Sequence, residues 1–314
     1  MGINKKAFLF TTIAIALSIV TILSYNVYTN YRLNDEMKVI ETRIDTMNFF
    51  IKDLENDLEN AIFIVGFRSL LSLEDYMMKY DRFFNDPLVP PTPSLNNAFE
   101  EIFQYGTINS EKMSLMENNT FINWTTKMKA QANKTDIKLD FTINDVTISH
   151  SSPWLVDISV DLRINVDDKK NTASWTINKV FTKKMNITGF VDPLYLVNND
   201  GKVNNTIRKT TVSSFATSLP THALNSYYIE HADAPSYLMR FENNLGSSAY
   251  GIESLVNSQK RIDKSLPALD RSAVDFIYFG TGVTANCRVT SMEAYDWFKL
   301  DSSHLGFYSA VCVS

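Results

Sequence analysis

The sequence predicts an α+β fold: a long N-terminal helix, transmembrane at first and then amphipathic, packed on an antiparallel β-sheet. Three observations predict it. Residues 7–23 (AFLFTTIAIALSIVTIL) are uncharged and apolar, and no charge falls between Lys6 and Arg32. Apolar residues then recur at four-three spacing from Leu33 to Val65, the period of a helix with a narrow buried seam. From Ile137 the period changes to two, as in a sheet with one wet face.

The first element is the apolar run. Residues 7–23 sit at the lower length limit for a membrane span, and Tyr25, Val27 and Tyr28 extend it. Tyrosines at its end suit the membrane–water interface, and Lys5 and Lys6 before it place Met1 to Lys6 in the cytoplasm and everything after Tyr28 outside. The expected localisation is therefore the cell membrane, single-pass, with the C-terminal domain extracytoplasmic. A cleaved secretory signal is the rival reading, but Leu23-Ser24-Tyr25-Asn26 lacks the small-x-small pattern of a cleavage site. Lys6 stands where N-myristoylation needs Ser or Thr. Ala7, Thr11, Ala14, Ser18 and Thr21 form a stripe of small residues, which lets transmembrane helices approach closely. Equally, the hydroxyls could simply bond back to their own helix.

The helical pattern continues through Leu33, Met37, Ile40, Ile44, Met47, Ile51, Leu54, Leu58, Ala61 and Val65, with charged residues on the other faces. No proline interrupts Ala7 to Lys79, so one continuous helix would run about 110 Å at 1.5 Å per residue. Gly66 is the expected bend or end. Phe49, Phe50, Phe63 and Phe67 widen the apolar face and are expected under the sheet built on Trp154–Val166. Pro87, Pro90, Pro91 and Pro93 mark a linker. Ser94 caps a predicted short helix carrying Phe99, Ile102 and Phe103 and closed by Gly106. Phe121, Trp124, Thr125, Met128 and Ala132 predict a second one.

In the β region, Leu139, Phe141 and Ile143, then Val146 and Ile148, alternate with polar residues. Val156, Ile158, Val160, Leu162, Ile164 and Val166 do so most strictly, Asp167–Asn171 turns the chain, and Trp175, Ile177 and Phe181 return. Further on, Ser236–Met239 begins a helix-like segment running through Phe241 to Asn244. Val274–Phe279 (VDFIYF) reads as a buried strand, and Tyr295–Val313 as edge strands. The expected division is an anchor over 1–30, a helical stalk over 31–85, a linker with short helices over 86–135 and an extracytoplasmic β-rich domain over 136–314.

The 314 residues are 45% hydrophobic and 12% aromatic, enough for a real core beyond the anchor. A net charge of −5 with no basic patch excludes nucleic acid as a partner class. Five sequons begin at Asn118, Asn123, Asn133, Asn186 and Asn204, candidate glycosylation sites in an exterior chain. The two cysteines, Cys287 and Cys312, read as one disulfide outside the cell; the alternative is two buried thiols. The four histidines (His150, His222, His231, His304) lack metal-ligand spacing, so no metal or cofactor is expected.

Nothing points to catalysis either. Gly280-x-Gly282-x-x-Ala285 follows the predicted VDFIYF strand, as a dinucleotide fingerprint would, but only 29 residues remain after it. His231-Ala232-Asp233, with His222 and Glu230 nearby, lacks a nucleophile signature and reads as a polar loop. Asp192-Pro193 reads as a turn.

Lys5-Lys6-Ala7-Phe8-Leu9-Phe10 and the apolar run after it resemble the class III signal of archaeal type IV pilin-like proteins. The resemblance implies a prepilin-type cut after Ala7, a long helix packed on an antiparallel sheet, and contacts with other pilin-like subunits through that helix. Thr12 stands where principal filament subunits carry glutamate, which points to a minor pilin or a permanently anchored relative. Residues 189–195, 235–241 and 250–256 are similar to segments of uncharacterised membrane-anchored archaeal surface proteins. The sequence thus predicts a non-enzymatic, membrane-anchored surface protein with a structural or adhesive role. The alternative is an anchored ectodomain that binds a glycan or small solute.

Overall fold

The computed structural model describes residues 5–87, 92–282 and 286–313, with the side chains of 5–9, 11 and 12 outside the description. Ala285 of the glycine-rich motif, and Pro90 and Pro91 of the linker, fall outside it as well.

Helix α1 (Lys5–Tyr80) is continuous over 76 residues. It falls into three parts. Side chains from Ile13 to Tyr31 are apolar on nearly every side and uncovered by the rest of the protein. The next turns are densely charged, and the seam residues Leu33, Met37 and Ile40 are still exposed. From Met47 the seam is buried: Met47, Leu54, Leu58, Ala61, Val65, Leu70, Leu73 and Met77 form the spine of the main core. Arg43 marks the changeover. Its guanidinium pairs with the buried Asp168 carboxylate at 2.8 Å and donates to the carbonyls of Thr135 and Asp136, each at 3.0 Å.

Gly66 does not end α1. A Cβ there would stand 2.3 Å from Ile158 Cδ1, so its missing side chain lets the sheet pack closely against the helix. The phenylalanines also differ from expectation. Phe50 is half-buried and Phe67 meets Phe190 edge-on at 5.2 Å, but Phe49 is 70% exposed and Phe63 44%. They lie off the seam, and one helix face is all that a single sheet can cover.

Helix α2 (Leu95–Tyr105) begins at Ser94, whose hydroxyl accepts from Asn97 N, and ends at Gly106 in the left-handed region at φ 75°. A two-residue hairpin, β1 (Thr107–Ile108) and β2 (Glu111–Lys112), leads to α3 (Phe121–Lys134), capped by Thr120. Phe103, Phe121, Trp124 and Phe141 form a ladder of ring contacts with centroids 5.1–5.5 Å apart, tying both helices to the sheet.

Strands β3 (Ile137–Ser152), β4 (Leu155–Asp168) and β5 (Ser174–Asn186) form an antiparallel meander with β4 in the centre. The β4 residues Val156, Ile158, Val160, Leu162, Ile164 and Val166 are all fully buried. Each such side chain stabilises the fold by about 1.5–3 kcal/mol before entropy is counted. Lys179 and Lys183 on β5 pair with Glu55 and Glu59 of α1 at 3.1 and 2.6 Å.

The C-terminal lobe is built from short pieces: α4 (Pro193–Asn198), α5 (Phe215–Asn225), β6 (Tyr228–Glu230), α6 (Tyr237–Arg240), β7 (Ile252–Ser254), α7 (Ser258–Ile262), α8 (Asp275–Phe279), β8 (Asn286–Cys287) and β9 (Leu300–Asp301). Strand β6 pairs with β7, and β8 with β9. The expected VDFIYF strand is helix α8 instead. A short apolar run does not reveal its period, and here Asp275 turns inward to meet Arg240. Helix α6 is one turn long and continues as turns through Asn244. The expected C-terminal strands reduce to β9 and a bridge between Val289 and Cys312. Asp301 explains the interruption: its carboxylate accepts from Ser303 N and holds the chain in a turn.

Candidate functional site

Two regions stand out: the uncovered part of α1 and a polar interior in the C-terminal lobe.

On α1, Ala14, Ser18 and Thr21 lie in the exposed span, whereas the side chains of Ala7 and Thr11 lie outside the described residues. Ser18 Oγ donates to Ala14 O at 2.9 Å, and Thr21 Oγ1 to Leu17 O at 2.7 Å. The hydroxyls of Ser18 and Thr21 are thus satisfied within the helix. The helix is long and apolar enough to cross a membrane, and its apolar window is entirely unburied, unlike a core helix of a globular body.

Cys287 and Cys312 are disulfide-bonded, with Cα atoms 5.7 Å apart, so the reading of two buried thiols is set aside. Asn118, Asn133, Asn186 and Asn204 are exposed, and Asn123 is half-buried near the start of α3.

The polar interior was not legible as a unit. At its centre Arg240 is fully buried and its Nη1 donates to Asp192 at 2.6 Å and to Asp275 at 2.8 Å. Its Nη2 donates to the Ile252 carbonyl. Tyr228 OH donates to Asp192 at 2.7 Å, and the Ser254 backbone N–H and hydroxyl donate to Asp275 at 3.0 and 2.9 Å. Asp192 also caps α4, so the Asp-Pro turn is half of its role. Burial, opposed by Arg240, lifts the Asp275 carboxyl to about 6. Beside this cluster Glu74 of α1 accepts from Val191 N and Tyr237 OH, each at 3.0 Å, and burial pushes it up to about 8.

A second cluster joins three separated segments. Glu253 on β7, with no exposure, accepts from His231 Nδ1 at 2.6 Å through Oε2 and from Tyr308 OH at 2.6 Å through Oε1. His304 Nε2 stands 3.4 Å from the same Oε2 but without hydrogen-bond alignment, so this buried nitrogen has no hydrogen-bond partner. Its other nitrogen, Nδ1, lies 2.8 Å from Asp301 Oδ1. Burial disfavours charge on His304, but Asp301 and Glu253 outweigh it and hold the imidazolium to about 10. The converse holds for Glu253, which burial raises but the two histidines and Tyr308 bring down to about 2. A Cβ on Gly251 would stand 2.2 Å from the carbonyl oxygens of His231 and Ala234. Glycine there lets the β6–β7 connection close and sets His231 against Glu253.

The sequence places His231 and Asp233 near Glu230 and His222. The structure separates them: Glu230 bonds Trp154 and Lys209, and His222 Nδ1 meets Thr210 Oγ1 at 3.0 Å. Burial brings His222 down to about 4, which leaves it neutral. His150 takes its place as a structural residue, with Nδ1 shared between the carbonyls of Ser152 and Leu155 and Nε2 accepting from Leu238 N. Gly280 and Gly282 follow a helix rather than a strand, so the fingerprint lacks its first element. The signal that could have found the clusters is that Asp192, Arg240 and Glu253 fall in the three segments singled out by resemblance. No family model, curated protein or solved structure matches this chain.

Proposed function

We propose that this chain is a single-pass, membrane-anchored surface protein of pilin-like architecture, held by residues 7 to about 28 with its body outside the membrane. Its role is structural or adhesive rather than catalytic, exercised through contacts of α1 with other membrane helices and of the body with its surroundings. One observation carries the reading: a single helix is an uncovered apolar cylinder up to Tyr31 and the spine of a core from Met47. In water the first part would leave apolar surface unburied at about 25 cal/mol per Å²; lipid removes that cost. Lys5 and Lys6 support the orientation, and the exposed sequons accord with an exterior, glycosylated body.

The test is fractionation of cells expressing the full chain. The protein should stay in the membrane pellet after alkaline extraction, and protease added to intact cells should digest the body. Mass spectrometry of the mature N-terminus should then find the apolar helix retained. Release into the medium without the helix would overturn the anchor, and full protection of the body would reverse the orientation. Leucine at both Ala14 and Ser18 should impair self-association while leaving the body folded; unchanged association would remove the pilin-like part.

A further inference from the structure

The His231–Glu253–His304 cluster has no part in anchoring or adhesion as proposed above. Its three ligand-type atoms all lie within 4.8 Å of one another. They come from the end of β6, from β7 and from the loop after β9. Three features separate it from an ordinary buried ion pair. First, His304 Nε2 is buried and has no hydrogen-bond partner, although it stands 3.4 Å from the carboxylate oxygen that His231 also faces. Second, a carboxylate stands behind the His304 imidazole, Asp301 at 2.8 Å from Nδ1; the exposed Asp233 lies 3.7 Å from His231 Nε2, outside hydrogen-bond reach. A histidine held in this way from its outer nitrogen turns the inner one toward the site, where an incoming metal ion displaces the inner proton to solvent and takes its place, the usual outer-shell arrangement of metal-bound histidine. Third, Tyr308 occupies Glu253 Oε1 at 2.6 Å, which leaves Oε2 alone to face the two rings.

We propose that His231 Nδ1, His304 Nε2 and Glu253 Oε2 form a binding site for one divalent transition-metal ion, of which zinc fits best. Two imidazoles and one carboxylate are a zinc-type donor set. Metal–ligand bonds of about 2.0–2.1 Å in tetrahedral geometry require ligand atoms about 3.3 Å apart. His304 Nε2 and Glu253 Oε2 already stand 3.4 Å apart, and His231 Nδ1 and the same oxygen 2.6 Å. The ion therefore needs His231 to withdraw by about 0.7 Å to reach that geometry. His231 is the one ligand able to do so: its side chain is 17% exposed and its ring stacks on Phe307 rather than sitting in the core. That exposure is also the access route. With three protein ligands the fourth position falls to water. The ion would clamp to the β6–β7 pair the C-terminal segment that the Cys287–Cys312 disulfide closes into a loop.

The experiment uses the full chain in detergent, without a polyhistidine tag, stripped with chelator and dialysed. Zinc alone is then titrated by equilibrium dialysis with elemental analysis, and thermal unfolding is followed with and without it. About one zinc per chain should bind, and the unfolding midpoint should rise with zinc concentration. His231→Ala should weaken binding by about a hundredfold or more while the metal-free protein still unfolds cooperatively, because His231 is partly exposed. Asp301→Asn should weaken binding by about 10–100-fold, since the amide holds the His304 ring less firmly. Should His304→Gln fail to fold, the His231 and Asp301 variants carry the test alone. Absence of stoichiometric zinc at a tenfold excess would overturn the proposal and leave an ionic cluster. So would one zinc per chain that is indifferent to His231→Ala.

Discussion

Glu74 couples the long helix to the C-terminal lobe, and its replacement by glutamine should change how stability depends on pH. The carboxyl is nine-tenths buried and accepts from Val191 N and Tyr237 OH. Burial raises it from 4.5 to about 8, against the pull of those two bonds. A carboxyl raised in the fold binds its proton there while the unfolded chain has already lost it. The folded state therefore holds more protons between about 4.5 and 8, and stability falls as pH rises through that window. At about 1.4 kcal/mol per pH unit, the loss between pH 5 and pH 9 amounts to roughly 4 kcal/mol. Glutamine offers a carbonyl oxygen to the same two donors and does not titrate. Denaturant unfolding of the parent and of Glu74→Gln, each from pH 5 to pH 9, isolates the term as the difference between the two curves. The variant should gain relative to the parent by roughly 3–4 kcal/mol as pH rises. A difference that stays flat to within about 0.5 kcal/mol would refute the reasoning, because it would mean that Glu74 titrates alike in both states.

Arg240→Met should lower stability by about 3–5 kcal/mol, because it leaves Asp192 and Asp275 buried without their cation. The body's thermal midpoint should drop by about 10 °C, by the scaling for a body of this size, and an unchanged midpoint would show the cluster to be dispensable. Gly66→Ala should cost about 1–2 kcal/mol despite alanine's better helix propensity, since the new methyl meets Ile158 Cδ1. Ile158→Val, destabilising by about 0.5–1.5 kcal/mol in the parent, should instead be stabilising in the Gly66→Ala background. Equal cost in both backgrounds would place the strain elsewhere.

The fold's first two thirds could be read because period and burial coincide there. Every inward residue of β4 from Val156 to Val166 is apolar, and Ser94 and Gly106 close the two ends of α2 where they are expected. The helix seam was readable as a seam, but not the point at which it meets the sheet. That point is set by Arg43 reaching Asp168, a contact between residues 125 positions apart that no local pattern encodes. The candidate metal site was hidden for the same reason. His231, Glu253 and His304 lie too far apart for any local ligand spacing, and only the β6–β7 pairing together with the turn at Asp301 brings them into reach.

The C-terminal lobe shows why its polar groups went inside. Its regular elements are at most 11 residues long, and the apolar clusters it holds apart from the main core are small, one containing Val274 and the other Tyr278. Pieces of that length do not hold themselves together: an isolated helix shorter than about 12–15 residues is marginal in water, and a two-residue hairpin has almost no ladder. What fixes them must act between segments. The Asp192–Arg240–Asp275 cluster joins α4, α6 and α8; the disulfide joins β8 to the C-terminal end; and the Glu253 cluster joins β6, β7 and the loop after β9. Buried ions seldom add net stability over a well-packed apolar core, but they are demanding about geometry. Arg240 reaches two carboxylates and a carbonyl only when α4, α6, α8 and β7 stand as they do here. The hypothesis that follows is that these groups contribute to the choice of packing more than to raw stability. It follows that a substitution which neutralises the cluster as a set, with apolar residues of similar volume at Asp192, Arg240 and Asp275, should harm the lobe less than removing any one member alone.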